Sequence, residues 1–237
     1  NIELKTVSDI EGIFKKKEEI RKKLTKKIDE LIRLKETVLN EELEKMKKVM
    51  VHFDLCNEET VKAKGQVACF ISSTDEIMLT EMLYHGQLND IEPNFLAALL
   101  SCFLVDERDN KDQKLDFKVP QLKPLYERVN KCADRVSDVL IEKRLDTDKD
   151  KYMNSFKADM MEAALSWANG EKFVEVCKKC EYYEGNIIRC IRRLDELIKE
   201  VGECAHFIGN NNLKERLDKA SELIKRGIVF AASLYLS

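Results

Sequence analysis

Glycine and proline are scarce, at 8 and 3 residues of 237. Collagen-like repeats and turn-dense sandwiches both need such residues often, so neither fits this chain. Long apolar runs are missing too. The longest nearly unbroken one, residues 95–105, is about half of what a bilayer-spanning helix needs, and no cleavable signal opens the chain. A soluble intracellular protein is therefore expected, with no membrane partner. Recognisable catalytic motifs are absent: there is no GxxxxGK[ST] phosphate loop, no GxSxG elbow and no HExxH metal pair. His52, His85 and His206 lie far apart in or beside predicted helices, where an imidazole without ligating neighbours is structural.

Hydrophobic residues make up 44% of the chain and charged residues 36%. That is too apolar for intrinsic disorder and enough for a real core, and with so few helix breakers it favours helices. The eight cysteines are scattered among apolar neighbours and are expected to be reduced, mostly buried thiols. Cys177 and Cys180 form a CxxC, but zinc prefers four ligands, and Cys190 and Cys204 lack the spacing of a second pair. No strand precedes the CxxC as a thioredoxin-like motif requires, so core packing with one partly exposed thiol is expected. The formal charge is -3 overall, yet residues 15–48 carry 13 basic and 8 acidic side chains, a local surplus of +5 concentrated in KKKEEIRKKLTKK. A solvated helix face accounts for such a run.

Apolar residues at 20, 24, 28, 31, 34, 38, 43, 46, 50 and 53 recur every three to five positions, with no Gly or Pro between them. They predict one long amphipathic helix, part of which projects as a stalk or pairs with another helix. Residues 60–71, TVKAKGQVACFI, alternate around Gly65 as a short β-hairpin would. Beyond them the signals are helical. Ser73 with Glu76 has capping-box spacing, Gly86 can close the helix that follows, and Pro93 opens a buried one containing Phe95 to Leu104. Residues 106–117 are polar and read as a loop. Further helices are expected over 122–140, over 152–167 closed by Gly170, over 173–180, over 186–208, and from about Leu213 onward. The fold class is all-α: a long N-terminal helix plus a multi-helix bundle, with one small β-hairpin.

The 186–208 helix has two unlike faces. Ile187, Ile188, Ile191, Leu194, Ile198, Val201 and Ala205 supply a stripe for burial, while Arg189, Arg193, Glu196 and Glu200 share another side. Arginine bonds phosphate through a rigid fork and stacks on bases, so this side suits single-stranded RNA or DNA. Spacing alone favours an ordinary solvated face. A helix-turn-helix DNA reader built from 173–200 fits worse, because the supposed recognition helix is too long and too acidic toward its end.

KGQVACFISSTDEIMLTEMLYHG (64–86), ALLSCF (98–103), YMNSFKADMMEAALSWANG (152–170), EGNIIRCIRRLDELIKE (184–200), IGN (208–210) and IKRGIVFAASLYL (224–236) occur in that order. Together they resemble the DSHCT C-terminal region of DExH-box RNA helicases that feed substrates to the RNA exosome. The resemblance implies that 1–45 are the returning helix of an arch stalk and that 46–72 complete a winged-helix domain, with the hairpin as its wing. Residues 73–237 would be the helical bundle that closes an RNA channel across two RecA-like motor domains. It further implies that RRLDEL lies on a ratchet helix facing the translocated strand, with Arg193 and Glu196 toward RNA and Arg189 one turn earlier. YMNSF looks more like the family's nuclear member, which implies a nuclear location, the RNA exosome and its adaptor proteins as partners, and roles in RNA decay and rRNA processing. ATP and Mg would belong to the parent motor, and no cofactor to this segment, which would be inactive alone. The family usually has Arg and Glu where this chain has Gln66 and Phe70, and Asp where it has Gly227. The alternative is a structural adaptor bundle that docks proteins without touching RNA.

Overall fold

The computed structural model describes residues 7–104, 117–180 and 182–230. The loop expected at 106–117 falls outside them except for Phe117. The chain divides into two compact units, Asn1–Lys47 and Lys48–Ser237.

The first unit is the body of helix α1, Val7–His52. At about 1.5 Å per residue its 46 residues run about 69 Å. The apolar stripe predicted from the sequence is present and open to solvent, with Ile20, Leu24 and Leu31 each more than half exposed.

In the second unit Val49, in the last turn of α1, and Phe53, just past its end, are buried. The expected hairpin at 60–71 is not formed. Cys56 and Val61 make an isolated antiparallel bridge, and the chain then coils into helix α2, Ala63–Ala68. The buried positions Gly65, Val67, Ala68 and Ile71 fall at helical intervals of three and four, a period that also fits the alternation seen in the sequence. Gly65 serves close approach rather than a hairpin turn: a Cβ there would stand 2.1 Å from the Leu55 carbonyl oxygen.

Helix α3, Glu76–Tyr84, is capped by Asp75 and not by Ser73. One Asp75 oxygen accepts from the Met78 amide at 2.8 Å, and the other accepts from the Tyr152 hydroxyl at 2.7 Å. A carboxylate two residues later satisfies the same orphan amides and gains a tertiary donor. Gly86, at φ 64, closes the helix in the left-handed conformation that glycine tolerates. Pro93 opens α4, Pro93–Ser101, whose residues from Leu96 onward are all buried.

Helix α5, Leu122–Glu142, is followed by a stretch expected as one helix but built as two, α6 at Lys149–Met153 and α7 at Met161–Ala168. The break is stabilised from outside. The Lys157 amide donates to the Cys102 carbonyl at 3.2 Å, and the Phe156 carbonyl accepts from the Tyr126 hydroxyl at 2.9 Å. Backbone groups that a continuous helix would pair internally are thus satisfied by tertiary partners. Helix α8 is Phe173–Cys177, ending short of Cys180. The long α9, Glu184–Phe207, precedes α10, Asn211–Ile224, and the single turn α11, Gly227–Phe230.

Helix α4 is the centre of this unit, packed against α7, α9 and α10, while α9 and α10 lie along each other. Trp167, only 1% exposed, donates from Nε1 to the Ile224 carbonyl at 2.7 Å. The Arg226 guanidinium lies 3.6 Å from the centre of its ring and donates to the Trp167 and Glu171 carbonyls. Gly227 sits at φ 58, a conformation strained for most side chains, and packs under the same ring. Its backbone freedom suits the turn into α11. Among the described residues no helix is long and apolar enough to cross a membrane.

Candidate nucleic-acid interface

Helix α9 forms because its apolar residues recur at helical spacing between two defined ends. Glu184 in the first turn complements the exposed amides. At the far end Gly209, at φ 77, lets the chain turn, and the Asn210 side chain caps α10 by accepting from the Leu213 amide at 3.1 Å. Ile187, Ile191, Leu194, Leu197, Ile198, Val201, Cys204 and Ala205 are at most 1% exposed. One side of α9 is therefore core.

The RRLDEL stretch divides between core and surface. Arg192 donates from Nε to the Val229 carbonyl at 2.6 Å and so holds α11. Asp195, 3% exposed, accepts from Ser221 Oγ at 2.5 Å and pairs with Lys199 at 2.7 Å and Lys225 at 3.6 Å. These charges are structural. Their neighbours are not: Arg189 and Glu196 are exposed and Arg193 half-buried, and none of the three makes a hydrogen bond or ion pair to a described residue. At about 100° per residue all three fall within about 60° of one another on the outer flank. Arg193 is near enough to Cys190 to oppose the upward push that burial gives that thiol, which reaches about 12.

Glu200, which shares the polar side in sequence, has a different task. It accepts from Ser72 Oγ at 2.6 Å and from the Ser72 and Ser73 amides at 3.2 Å each, tying the segment after α2 to α9. Burial pushes its carboxyl up, but the hydrogen bonds from Ser72 and Ser73 outweigh that and the net shift is downward.

Two features had no clear signal in the sequence. Glu81, 4% exposed, pairs with Lys64 and with Arg135 at 3.0 Å, joining α2, α3 and α5. His85 extends this cluster, its Nδ1 lying 2.8 Å from the Glu81 carbonyl and its Nε2 3.1 Å from Arg135. Phe70 and Phe207 meet with ring centroids 5.4 Å apart while both stay partly exposed. Apart from Glu81 and His85, which are four residues apart, the members of these sets come from segments distant in the chain, so no local motif marks them.

All eight cysteines are free; Cys102, Cys132, Cys190 and Cys204 are buried, Cys56, Cys177 and Cys180 half-buried, and Cys69 exposed. Burial raises the thiols of both Cys177 and Cys180, which keeps them protonated and poor nucleophiles. Among the described residues no three His, Cys, Asp or Glu side chains are grouped as a metal site needs.

Residues 58–231 match the family model of the DSHCT (NUC185) domain. The chain belongs to the DSHCT family. Its DSHCT relatives include the exosome RNA helicase MTR4 of Mus musculus, 41% identical over 180 residues, which cover 76% of this chain and 17% of that protein. The ATP-dependent RNA helicase mtr4 of Schizosaccharomyces pombe is 40% identical over 183 residues, covering 76% of this chain and 16% of the relative. The mRNA transport homolog 4 of Caenorhabditis elegans is 34% identical over 231 residues, covering 97% and 22%. The chain thus spans between 16% and 22% of the length of these relatives.

Proposed function

We propose that this DSHCT chain is the C-terminal accessory module of an ATP-dependent 3′ to 5′ RNA helicase and guides single-stranded RNA through the motor toward the nuclear exosome. The observation that carries the proposal is the outer flank of α9, where Arg189, Arg193 and Glu196 have no hydrogen-bond or ion-pair partner among the described residues while the opposite side is sealed into the core. A guanidinium presents a planar, preorganised fork to phosphate, so less side-chain freedom is lost for each hydrogen bond formed. The names of the relatives, an exosome RNA helicase and an ATP-dependent RNA helicase, support the helicase setting of this role.

In this proposal residues 1–45 return from an arch stalk, 46–72 complete a winged helix without the expected wing, and 73–237 form the channel-closing bundle. The partners are single-stranded RNA, the RecA-like motor domains of the same protein, and the exosome with its adaptors, in the nucleus. ATP and Mg are held by the motor, since this chain has no phosphate loop. The chain itself supplies grip and a channel wall, with no bond-breaking step of its own.

In the full-length protein, Arg193→Ala and Glu196→Ala should each lower duplex unwinding, Arg193→Ala by about tenfold, while ATP binding stays within twofold. Unchanged unwinding removes the assigned role. RNA crosslinks mapping to the lysine cluster at 15–27, and not to 186–200, would favour the adaptor alternative.

A further inference from the structure

The open flank of α9 does not stop at Glu196. Phe207 falls on the same side as Arg189, about five turns and about 27 Å further along the axis. It is 46% exposed and its neighbour Phe70 is 42% exposed, with the two ring planes inclined at 55°. The pair is held in place from both sides of Phe70. Before it, the Val67 carbonyl lies 3.5 Å from Cys204 Sγ; after it, Ser72 and Ser73 donate to Glu200. Phe207 is therefore fixed as the last residue of α9, and Phe70, in the turn after α2, is tied to that helix on both sides.

The two ends of this flank differ in charge. The N-terminal end offers two cations, Arg189 and Arg193, without a partner among the described residues, beside the single carboxylate Glu196. The C-terminal end carries Glu200, committed to the serines, and Glu203, 4.0 Å from Lys214. Carboxylates beside the rings disfavour phosphate there, whereas an uncharged, flat and polarisable group is suited to an aromatic face. A single polynucleotide strand presents both kinds of group, phosphates along its backbone and bases beside them. At roughly 3.4 Å per nucleotide of stacked strand, 27 Å corresponds to about eight nucleotides.

We propose that Phe70 and Phe207 form a base-stacking platform for the same single-stranded RNA whose phosphates meet Arg189 and Arg193. The platform rests on the RNA-guiding role and extends it from phosphate grip to base contact. Stacking is tolerant of sequence, because every base has a flat face, so the platform adds hold without base choice.

The test uses the full-length protein and a labelled single-stranded RNA of about twelve nucleotides, without sequence bias, followed by fluorescence anisotropy. Phe207→Ala and Phe70→Ala should each weaken binding by about fivefold or more. The loss should persist as salt rises, with an unchanged salt slope, whereas Arg193→Ala should flatten that slope by about 0.7. Phe207→Tyr should retain binding and Phe207→Leu should lose it at an unchanged melting temperature; equal affinity of these two variants overturns the platform. RNA made abasic across its length should bind wild type more weakly but leave the Phe70→Ala, Phe207→Ala double variant no worse. If Arg193→Ala weakens binding while both alanine variants bind normally, the platform falls and the guiding role stands. If none of the three weakens binding, both fall. Loss of a protein partner by the phenylalanine variants at unchanged RNA affinity also overturns the platform.

Discussion

Helices α1 and α9 carry the same kind of pattern and meet opposite fates. In α1, Ile20, Leu24 and Leu31 recur at helical spacing and are 65%, 59% and 65% exposed. In α9, Ile187, Ile191 and Leu194 recur in the same way and are at most 1% exposed. Periodicity specifies which side of a helix is apolar and says nothing about whether a partner covers it. The charged sides differ in a parallel way. The lysines of α1 lie on an open helix, whereas α9 spends Arg192, Asp195 and Glu200 on neighbouring segments and leaves Arg189, Arg193 and Glu196 without a partner among the described residues.

The largest expected effect separates the two stripes directly. Ile191→Ala removes a fully buried side chain and should cost about 2–5 kcal/mol, read as a lower urea midpoint in the fluorescence of Trp167. That tryptophan is the single one in the chain, and it reports on the second unit. A midpoint unchanged by Ile191→Ala would remove the distinction between α9 and α1.

A smaller effect sharpens the account of α9's polar side. Glu200 titrates below its ordinary value when folded, so its contribution to stability is complete above about pH 4.5 and is lost as the pH falls through the folded value. Glu200→Gln should therefore flatten the acid limb of a stability-against-pH curve and leave its neutral region less stable than wild type. An acid limb identical to wild type would mean that the ties to Ser72 and Ser73 do not hold in solution. Smallest of all is Leu24→Ala. At 59% exposure it should shift the Trp167 transition by no more than about 0.5 kcal/mol, and a larger shift would show that the stripe of α1 is covered in solution.

Much of the architecture was legible from spacing. The long first helix, the buried run opened by Pro93, the closing roles of Gly86 and Gly170, and the two-faced α9 all follow from periodicity and capping chemistry. At 60–71 the sequence supports two structures: Val61, Ala63, Val67, Cys69 and Ile71 fit the two-residue period of a hairpin, while Ala63, Val67 and Ile71 also fit a four-residue helical one. What tips the balance is Gly65 fitting under the Leu55 carbonyl, a contact made only after folding. The cap on α3 moved from Ser73 to Asp75 for a similar reason, since the Tyr152 hydroxyl arrives from a segment 77 residues away.

Apart from α2 and the break between α6 and α7, the order of the helices and the apolar side of each were set by the chain alone, because helical spacing, caps and breakers act over a few residues. The tertiary structure decided which charges on α9 stay unpaired and which rings come together. The physical reason is that Val229, Ser221, Ser72 and Phe70 reach α9 only through the packing of distant segments.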